Sequence, residues 1–395
     1  MEKKYLIVNR GSASEKYAIY TKEKCLVFLH LERREVGGGY VSNLFIGDKK
    51  EEKHITEENY NDSLNYTLSL FISLGIISGK ADISGIGIRI VAPGRHFQDD
   101  KIIDKIYEKE MKKVIHNAPL HLLPTYEMFL NLKKVLKNVP VVGVSDSDFH
   151  DTLPAKAKYY ALSFDDTKKY QIERYGYHGI SIESILHKLK GELGKLPERL
   201  IICHIGSGVS ITAVKTGKSI ENSMGFTPLE GVMMATRAGD IDPGTIAFLS
   251  ESLGLKGKKL RDYLNKKCGL LGVSGQSSDV RDLLRLEKEG DTQSKLALDM
   301  YVYHLQKCIG SYYVALNGLD AIIFTATVGE RSFVIRERIC DGLAVLGIKI
   351  NKEKNNQSVG IDADISNFDS KVKVLIRKTD EMGQIARDTI NVLEC

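Results

Sequence analysis

Apolar runs and tight Gly/Ser turns form a pattern that occurs twice along the chain. Residues 6–20 and residues 200–214 each contain an apolar run, a turn rich in Gly and Ser, and a second run. Each pattern predicts a β-hairpin, with its turn at residues 11–14 or 206–208. The two predicted hairpins lie about half the chain apart, which favours a duplicated fold.

Between and after the hairpins, short apolar runs alternate with amphipathic segments. Strands are predicted at residues 82–91, 139–144 and 321–325, and helices at 63–74, 124–136 and 292–317. Gly318 is a plausible end for the last helix. A third Gly-containing turn is predicted at 327–330. Helices alternating with short apolar strands are typical of an α/β protein.

Composition and charge exclude several classes of protein. The chain has 395 residues and a formal net charge of +5, with charges of both signs interspersed rather than in a basic stripe. A nucleic-acid partner is therefore not expected. The six cysteines form no CxxC pair, so reduced thiols are expected rather than a disulfide framework or a zinc site. No apolar run suits a membrane span or a signal-peptide core, so we expect no membrane partner and a cytoplasmic location.

The Gly/Ser turns are candidate phosphate sites, because successive backbone N–H groups in such a turn form a concave anion site. A plain hairpin turn has the same composition, so both interpretations stay open for each turn taken alone. Neither the GxxxxGK[ST] loop nor GxGxxG between a strand and a helix is present. A P-loop NTPase and a Rossmann dehydrogenase are therefore disfavoured.

Residues 222–243 contain Gly, Pro, Thr and Met in an order that suits neither a helix nor a strand. Long irregular segments in compact domains are often binding loops. Its apolar side chains argue for burial rather than for an ordinary surface connection. The segment ends with Arg237, Asp240 and Asp242, which could bind a charged ligand.

At this segment the sequence resembles the acetate kinases. Arg237 stands in a run that matches the family's Thr-Arg-x-Gly-x-Ile-Asp-Pro signature. The first hairpin resembles the family's Asn-x-Gly-Ser-x-Ser-x-Lys motif, and residues 174–179 resemble its Arg-Tyr-Gly-Phe-His-Gly motif. Residues 203–208 resemble its second phosphate turn, and residues 278–282 and 324–330 follow in the order of its nucleotide-binding segments. The resemblance extends from about residue 6 to residue 387.

The resemblance implies an α/β fold with two duplicated actin-like (ribonuclease H-like) domains around a central cleft, and a homodimer. The expected domains are residues 1–150 plus 382–395, on the acyl-substrate and phosphate side, and residues 151–381, which bind nucleotide and form the dimer. The implied reaction is reversible transfer of a phosphoryl group from ATP to acetate, with Mg²⁺ or Mn²⁺. The partners are then a small carboxylate and a nucleotide.

The family's functional residues can be assigned to matching positions. The resemblance implies catalytic roles for Asp146, Arg89, His178 and Arg237. The acyl substrate is assigned to Arg89, Val91, Leu120, Tyr177 and Pro228. The nucleotide and its phosphates are assigned to Lys16, Ser12, Ser14, His204, Gly206, Ser207, Gly208, Asp279, Val280, Arg281, Thr327, Val328, Gly329, Glu330 and Arg331. The metal is assigned to the oxygen donors Asn9, Glu381 and Asp146, which suit a hard cation.

These residue types suit phosphoryl transfer to a carboxylate. A carboxylic acid with a pKa of about 4 is already ionised at pH 7, so no strong general base is required. The protein must align two anions and neutralise charge on the transferring group. A guanidinium stays charged and can bind two oxygens at once, which suits Arg89 and Arg237.

Some positions depart from the family pattern. Arg10 and Glu15 stand where small or apolar residues are usual, and Tyr177 stands where Phe is usual. In the adenine turn Thr327 replaces Gly and Arg331 replaces Asn, which adds bulk and removes an amide.

Three hypotheses remain. The first is an active acetate kinase, with propionate as an alternative substrate. The second is the same transfer from a donor other than an adenine nucleotide. The third is a non-catalytic relative. A pseudoenzyme would be free to lose the assigned catalytic and metal-binding side chains, and their presence favours an active enzyme.

Overall fold

The computed structural model describes residues 2–11, 14–34, 38–115 and 119–395, except for the side chains of residues 119–121. It divides into two compact units, Met1–Asp148 with Asp380–Cys395, and Phe149–Thr379. Each unit contains one mixed β-sheet with helices. The α/β class predicted from the sequence is confirmed.

The first unit contains an eight-stranded sheet in the order β5-β4-β3-β2-β1-β6-β8-β7. Strands β1 to β5 form an antiparallel meander, whereas β6 pairs parallel with both β1 and β8. The strands are β1 (Lys4–Arg10), β2 (Ser14–Tyr20), β3 (Cys25–Arg33), β4 (Tyr40–Ile46), β5 (Lys49–Ile55), β6 (Ile83–Ile90), β7 (Lys101–Ile102) and β8 (Val141–Ser145). The helices are α1 (Glu57–Asn61), α2 (Ser63–Ser73), α3 (Lys105–Val114), α4 (Pro119–Val135) and, at the end of the chain, α16 (Glu381–Glu394).

The second unit contains a six-stranded sheet in the order β11-β10-β9-β12-β14-β13. Its strands are β9 (Arg199–Ile205), β10 (Val209–Lys215), β11 (Lys218–Asn222), β12 (Ala321–Thr325), β13 (Ala363–Asp364) and β14 (Lys373–Ile376). Its helices are α5 (Ala155–Lys158), α6 (Phe164–Tyr170), α7 (Gly179–Leu193), α8 (Pro243–Ser252), α9 (Lys258–Lys266), α10 (Gly269–Ser274), α11 (Val280–Lys288), α12 (Thr292–Leu316), α13 (Ala326–Arg331), α14 (Phe333–Asp341) and α15 (Lys352–Gln357). Single 3₁₀ turns lie at Lys80–Asp82, Arg95–Phe97, Asp148–His150 and Ala344–Leu346.

The two sheets repeat one topology. In the first, β3-β2-β1 are antiparallel and β6 and β8 then add in parallel; in the second, β11-β10-β9 are antiparallel and β12 and β14 add in parallel. Both predicted hairpins are confirmed as β1–β2 and β9–β10. The duplication inferred from the sequence is therefore present in the topology of the sheets.

The long helix α12 confirms the prediction for residues 292–317. Its buried side chains include Tyr301, Leu305 and Tyr312, so the aromatic stripe is part of the core. Asn317 adopts a left-handed conformation and donates its N–H to the carbonyl of Val314 at 3.0 Å. The helix therefore ends at Leu316, with Asn317 rather than Gly318 as its left-handed cap.

Two local predictions were wrong. Residues 327–330 are not a turn, because α13 (Ala326–Arg331) begins directly after β12. Ala326 has φ of 64°, which changes the direction of the chain at the end of β12. Its N–H donates to the carboxylate of Glu330 at 3.0 Å, so the first N–H group of the helix has a hydrogen-bond partner. Helix α4 begins at Pro119 rather than at Pro124, so that Pro124 lies inside it.

Candidate functional site

In the first unit, four polar side chains from separate segments meet where β1, β6 and β8 end. Arg89 in β6 donates from Nε and Nη2 to Asp146, which follows β8, at 3.0 Å each. Arg89 Nη1 lies 3.6 Å from Oε2 of Glu381, the first residue of α16. Asn9 in β1 donates to the same carboxylate oxygen at 3.0 Å. The sequence assigned all four to catalysis or metal binding.

Neighbouring carboxylates keep the Arg89 side chain protonated and fix its orientation. Burial by itself would lower the pKa of Arg89, but the carboxylates of Asp146 and Glu381 outweigh it and raise the pKa. Asp146 is only 1% exposed, and its N–H donates to the carbonyl of Ile90 at 2.9 Å. A bidentate pair of this kind fixes the orientation of both groups.

The donor set fits a magnesium ion that keeps part of its coordination open. Within the described ranges, no group of three or more His, Cys, Asp or Glu side chains is arranged to hold a metal. Asn9, Glu381 and Asp146 offer amide and carboxylate oxygens only. Mg²⁺ usually takes one or two protein carboxylates and completes its shell with water and phosphate oxygens. These residues therefore suit a metal that arrives with a phosphate ligand.

The first hairpin places Lys16 directly opposite Asn9, so that both lie on one face of the sheet. Lys16 is half-buried, and within the described residues it has no ion-pair or hydrogen-bond partner. At the turn, the carbonyl of Ser14 accepts from the N–H of Gly11 at 2.8 Å. Ser12 lies outside the described residues. Lys16 is thus a cation available to an anionic ligand.

Two residues assigned to the acyl group belong to the first unit. Val91 follows β6 directly and is half-buried. Leu120 lies in α4, but its side chain is outside the described part of the structure. In the sequence, Val91 comes two positions after Arg89.

In the second unit, His178 and Arg237 both approach the turn between β9 and β10. A Cβ atom added to Gly208 would lie 3.4 Å from Arg237 Nη1 and 3.5 Å from His178 Nε2. His178 precedes α7 with φ of 64°, and its Nδ1 lies 2.9 Å from Ser210 Oγ. Its ring stacks on His204 with 3.9 Å between centroids. A guanidinium, an imidazole and a glycine turn brought together in this way suit an anionic ligand.

Arg237 lies in the irregular segment 223–242, which confirms the prediction made for 222–243 except at its two ends. Asn222 is the last residue of β11, and Pro243 is the first residue of α8. Its Nη1 donates to the carbonyl of Pro228 at 3.1 Å and lies 3.7 Å from Met234 Sδ. Burial lowers the pKa of Arg237 to about 10, so the side chain stays charged at neutral pH. Met224, Val232 and Met234 are buried, as the apolar content predicted.

The same segment binds Tyr177. This side chain is 1% exposed, and its hydroxyl donates to the carbonyl of Phe226 at 3.0 Å. The hydroxyl that distinguishes this chain from the usual Phe is thus hydrogen-bonded to the protein. Pro228, the other residue of the second unit assigned to the acyl group, lies two positions further and is buried.

A cavity of 980 Å³ in the second unit is lined by eight of the residues assigned to the nucleotide. Gly206 and Ser207 line it near the hairpin turn. Asp279, Val280 and Arg281 line it at the start of α11, and Thr327, Val328 and Arg331 line it along α13. Three sequence segments that are far apart therefore meet around one space large enough for a nucleotide.

Four residues of the second unit that are assigned to the nucleotide do not line this cavity. His204 lies under His178, and its Nδ1 is 2.8 Å from Ser181 Oγ. Gly208 faces Arg237 and His178 instead. Gly329 packs against the backbone of β12 and β9, where it is buried. Glu330 accepts hydrogen bonds from the N–H groups of Ala326 and Thr379, so its carboxylate is held by the backbone at the start of α13.

Sequence reasoning missed the apolar wall of the cavity and one ion pair on it. Leu270, Phe333, Val334 and Val359 line the space. Arg338 donates to Glu287 at 2.7 and 3.2 Å on the same wall. Phe333 begins α14 two positions after Arg331 and could have been found from that nucleotide-binding segment, whereas Val359 lies in no recognisable motif.

Comparison with known proteins gives one consistent family. Residues 4–387 match the model of the acetokinase family. The acetate kinase of Pseudothermotoga lettingae is 39% identical over 99% of this chain and 98% of its own length. A crystal structure of Porphyromonas gingivalis acetate kinase matches with a TM-score of 0.85 and 34% identity, over 99% of this chain and all of the other. That of a propionate kinase from Francisella tularensis gives 0.87 and 32%, with the same coverage. These matches extend over both units, so the chain belongs to the acetokinase family.

Proposed function

We propose that this chain is an acetate kinase, which transfers a phosphoryl group reversibly between ATP and acetate with Mg²⁺. One observation carries the proposal. The turn at residues 206–208 has Gly208 against Arg237 and His178, while Gly206 and Ser207 line the 980 Å³ cavity. An anion-binding group and a nucleotide-sized space thus share one turn, as a nucleotide phosphate requires.

The proposed chemistry relies on charge and position. Acetate reaches the enzyme ionised, so its oxygen can attack phosphorus without a general base. Arg237 and His178 would bind the oxygens of the transferring group, and Arg89 would bind the carboxylate or the product phosphate. A phosphoryl-clamping arginine typically contributes a factor of about 10³ or more to the rate.

Magnesium would be held on the side of Asn9, Glu381 and Asp146. When bound, the ion supplies positive charge to the phosphate oxygens and orients them. Asn9 and Glu381 are joined by a hydrogen bond, and Asp146 is fixed by Arg89, so both carboxylates are oriented in advance. Manganese has similar ligand preferences and is an alternative ion.

The acyl group is assigned to Val91, Leu120, Tyr177 and Pro228, a mostly apolar set that suits a methyl group. Propionate is the alternative substrate, in view of the similarity to the Francisella tularensis propionate kinase. Because the Tyr177 hydroxyl is bonded to the Phe226 carbonyl, it leaves the set effectively apolar. Initial rates with acetate, propionate and butyrate will rank the acceptors.

The donor is assigned to ATP, with another phosphoryl donor as the second candidate. Arg331 lines the cavity, and among the described residues it has no ion-pair or hydrogen-bond partner. Its guanidinium offers donors only, whereas the usual amide offers a donor and an acceptor. That difference could alter the choice of base.

The remaining assignments follow the family. The second unit is proposed to bind nucleotide and form a homodimer, and the first to hold the metal, the phosphate hairpin and part of the acyl site. The cytoplasm is proposed as the location, where ATP is available. In the described parts of the chain, no helix is both long and apolar enough to cross a membrane.

The test is the reverse reaction with a site variant. Purified protein given acetyl phosphate, ADP and Mg²⁺ should form ATP, measured by luciferase. Arg237→Ala should lower kcat by about 10³-fold, while its thermal unfolding temperature stays near that of the wild type. An unchanged kcat would contradict the role given to Arg237. A wild type that forms no ATP would contradict the proposed reversible phosphoryl transfer.

A further inference from the structure

Two charged residues of the first hairpin form an ion pair with each other. Arg10 in β1 and Glu15 in β2 are directly opposite across the hairpin, and Arg10 Nε lies 3.0 Å from Glu15 Oε1. The two charges therefore form one ion pair across the hairpin.

The carboxylate of Glu15 is buried. Glu15 is 5% exposed, and its second oxygen accepts from Tyr17 Oη at 2.7 Å and from Ser63 Oγ at 2.5 Å. Both donors are neutral hydroxyl groups, and burial together with the Glu15 charge raises the pKa of Tyr17, which keeps it protonated. Among the described residues, Arg10 is the cation paired with this carboxylate.

Arg10 is itself anchored. Its Nη1 donates to the carbonyl of Pro124 in α4 at 3.0 Å, and its side chain is 27% exposed. The ion pair thus lies between the hairpin and the helix that carries Leu120. Its geometry is fixed on both sides.

The pair lies beneath the surface assigned to phosphate. Side chains alternate across a strand, so Arg10 and Glu15 face α2 and α4, whereas Asn9 and Lys16 face the other side of the sheet. Glu15 is the immediate neighbour of both Ser14 and Lys16. An unbalanced carboxylate at this position would repel a polyphosphate bound at the turn.

We infer that Arg10 is a positioning residue that acts as an internal counter-ion, neutralising Glu15 so that the hairpin can receive the nucleotide phosphates. This inference rests on the proposed function of the hairpin. Arg10 acts through Glu15 and through the field at the turn, without contact with the substrate. A purely structural pair would instead affect stability and leave nucleotide affinity unchanged.

The test compares variants whose effects on the charge have opposite signs. Arg10→Ala leaves the Glu15 charge unbalanced and should raise the KM for MgATP about 10-fold, with a smaller change in the KM for acetate. Glu15→Gln removes the negative charge and should leave the KM for MgATP unchanged or lower it. Arg10→Lys keeps the charge and should stay within about 2-fold of the wild type.

The double variant and a control complete the experiment. Arg10→Ala with Glu15→Gln should return the KM for MgATP to within about 2-fold of the wild type. The matched control is the exposed pair formed by Arg34, the residue after β3, and Glu52 in β5. Its double alanine variant should change neither KM.

Thermal unfolding temperatures are recorded for every variant. Equal increases in the KM for MgATP with Arg10→Ala and Glu15→Gln would overturn the inference, as would a lower unfolding temperature with an unchanged KM. A wild type that makes no acyl phosphate from any donor would overturn the proposed function, and this inference with it.

Discussion

Arg336 gives the most demanding test of how the nucleotide-side unit is held together. This side chain is 0% exposed, and its four hydrogen bonds go to uncharged oxygens. The acceptors are the side chain and carbonyl of Asn355 and the carbonyls of Gly329 and Ser358, at 2.6 to 3.0 Å. Burial lowers the pKa of Arg336 to about 10, so it remains protonated at neutral pH. Its hydrogen bonds therefore connect α14 with α13 and α15.

Arg336→Met keeps most of the side-chain volume and removes the donors. Each buried acceptor that loses its partner costs about 1–3 kcal/mol, and relief from burying a charge offsets part of this. We expect a net loss of about 3–5 kcal/mol in the free energy of unfolding. For a unit of this size that corresponds to a decrease of roughly 10 °C in the unfolding temperature.

Calorimetry and urea unfolding measure this loss, and Arg285→Met is the control. Arg285 is exposed and pairs with Glu289 four residues away at 2.9 Å, so its replacement should cost less than about 0.5 kcal/mol. The Kd for MgATP should also rise in Arg336→Met, because the Gly329 carbonyl belongs to α13, which lines the cavity. A loss within about 1 kcal/mol of the control would refute the reasoning.

Three further predictions concern pH, base choice and the loop around Tyr177. Burial, with repulsion from Asp388, raises the pKa of Asp100 to about 8, and burial raises the pKa of Asp388 to about 7. The folded state then binds more protons than the unfolded one. The free energy of unfolding should thus fall as pH rises from about 4 to about 8, and Asp100→Asn should flatten that dependence in urea titrations; a rise would contradict it. Arg331→Asn should increase kcat/KM for ATP relative to GTP, because an amide can accept from the adenine amino group, and an unchanged ratio would exclude contact with the base. Tyr177→Phe should cost about 1 kcal/mol of stability and leave the acetate-to-propionate ratio within about 2-fold, whereas a larger shift in that ratio would place the hydroxyl at the substrate.

The hairpins and the irregular segment could be predicted because local chemistry determines them. Gly and Ser permit the turns at residues 206–208, and the apolar runs on both sides pair as strands. The mixture of Gly, Pro and Met in 223–242 excludes regular structure whatever surrounds it. Local chemistry of this kind can be seen in a single sequence.

The start of α13 could not be predicted, because it depends on contacts between distant residues. The stretch Thr327 to Glu330 has the composition of a turn, yet Ala326 accepts a left-handed conformation and Glu330 binds the first N–H of a helix. The same applies to Arg10 and Glu15, whose departures from the family pattern were visible one by one. Only the strand register shows that they form a pair.

The most direct test of the central claim is acyl phosphate formation in the forward direction. Purified protein with acetate, ATP and Mg²⁺ is incubated with hydroxylamine, and acetyl hydroxamate is measured by its iron complex. GTP and pyrophosphate serve as alternative donors, and EDTA as the metal-free control. The account predicts hydroxamate that depends on acetate, ATP and the metal and falls by about 10³-fold in Arg237→Ala. No hydroxamate with any donor would contradict it.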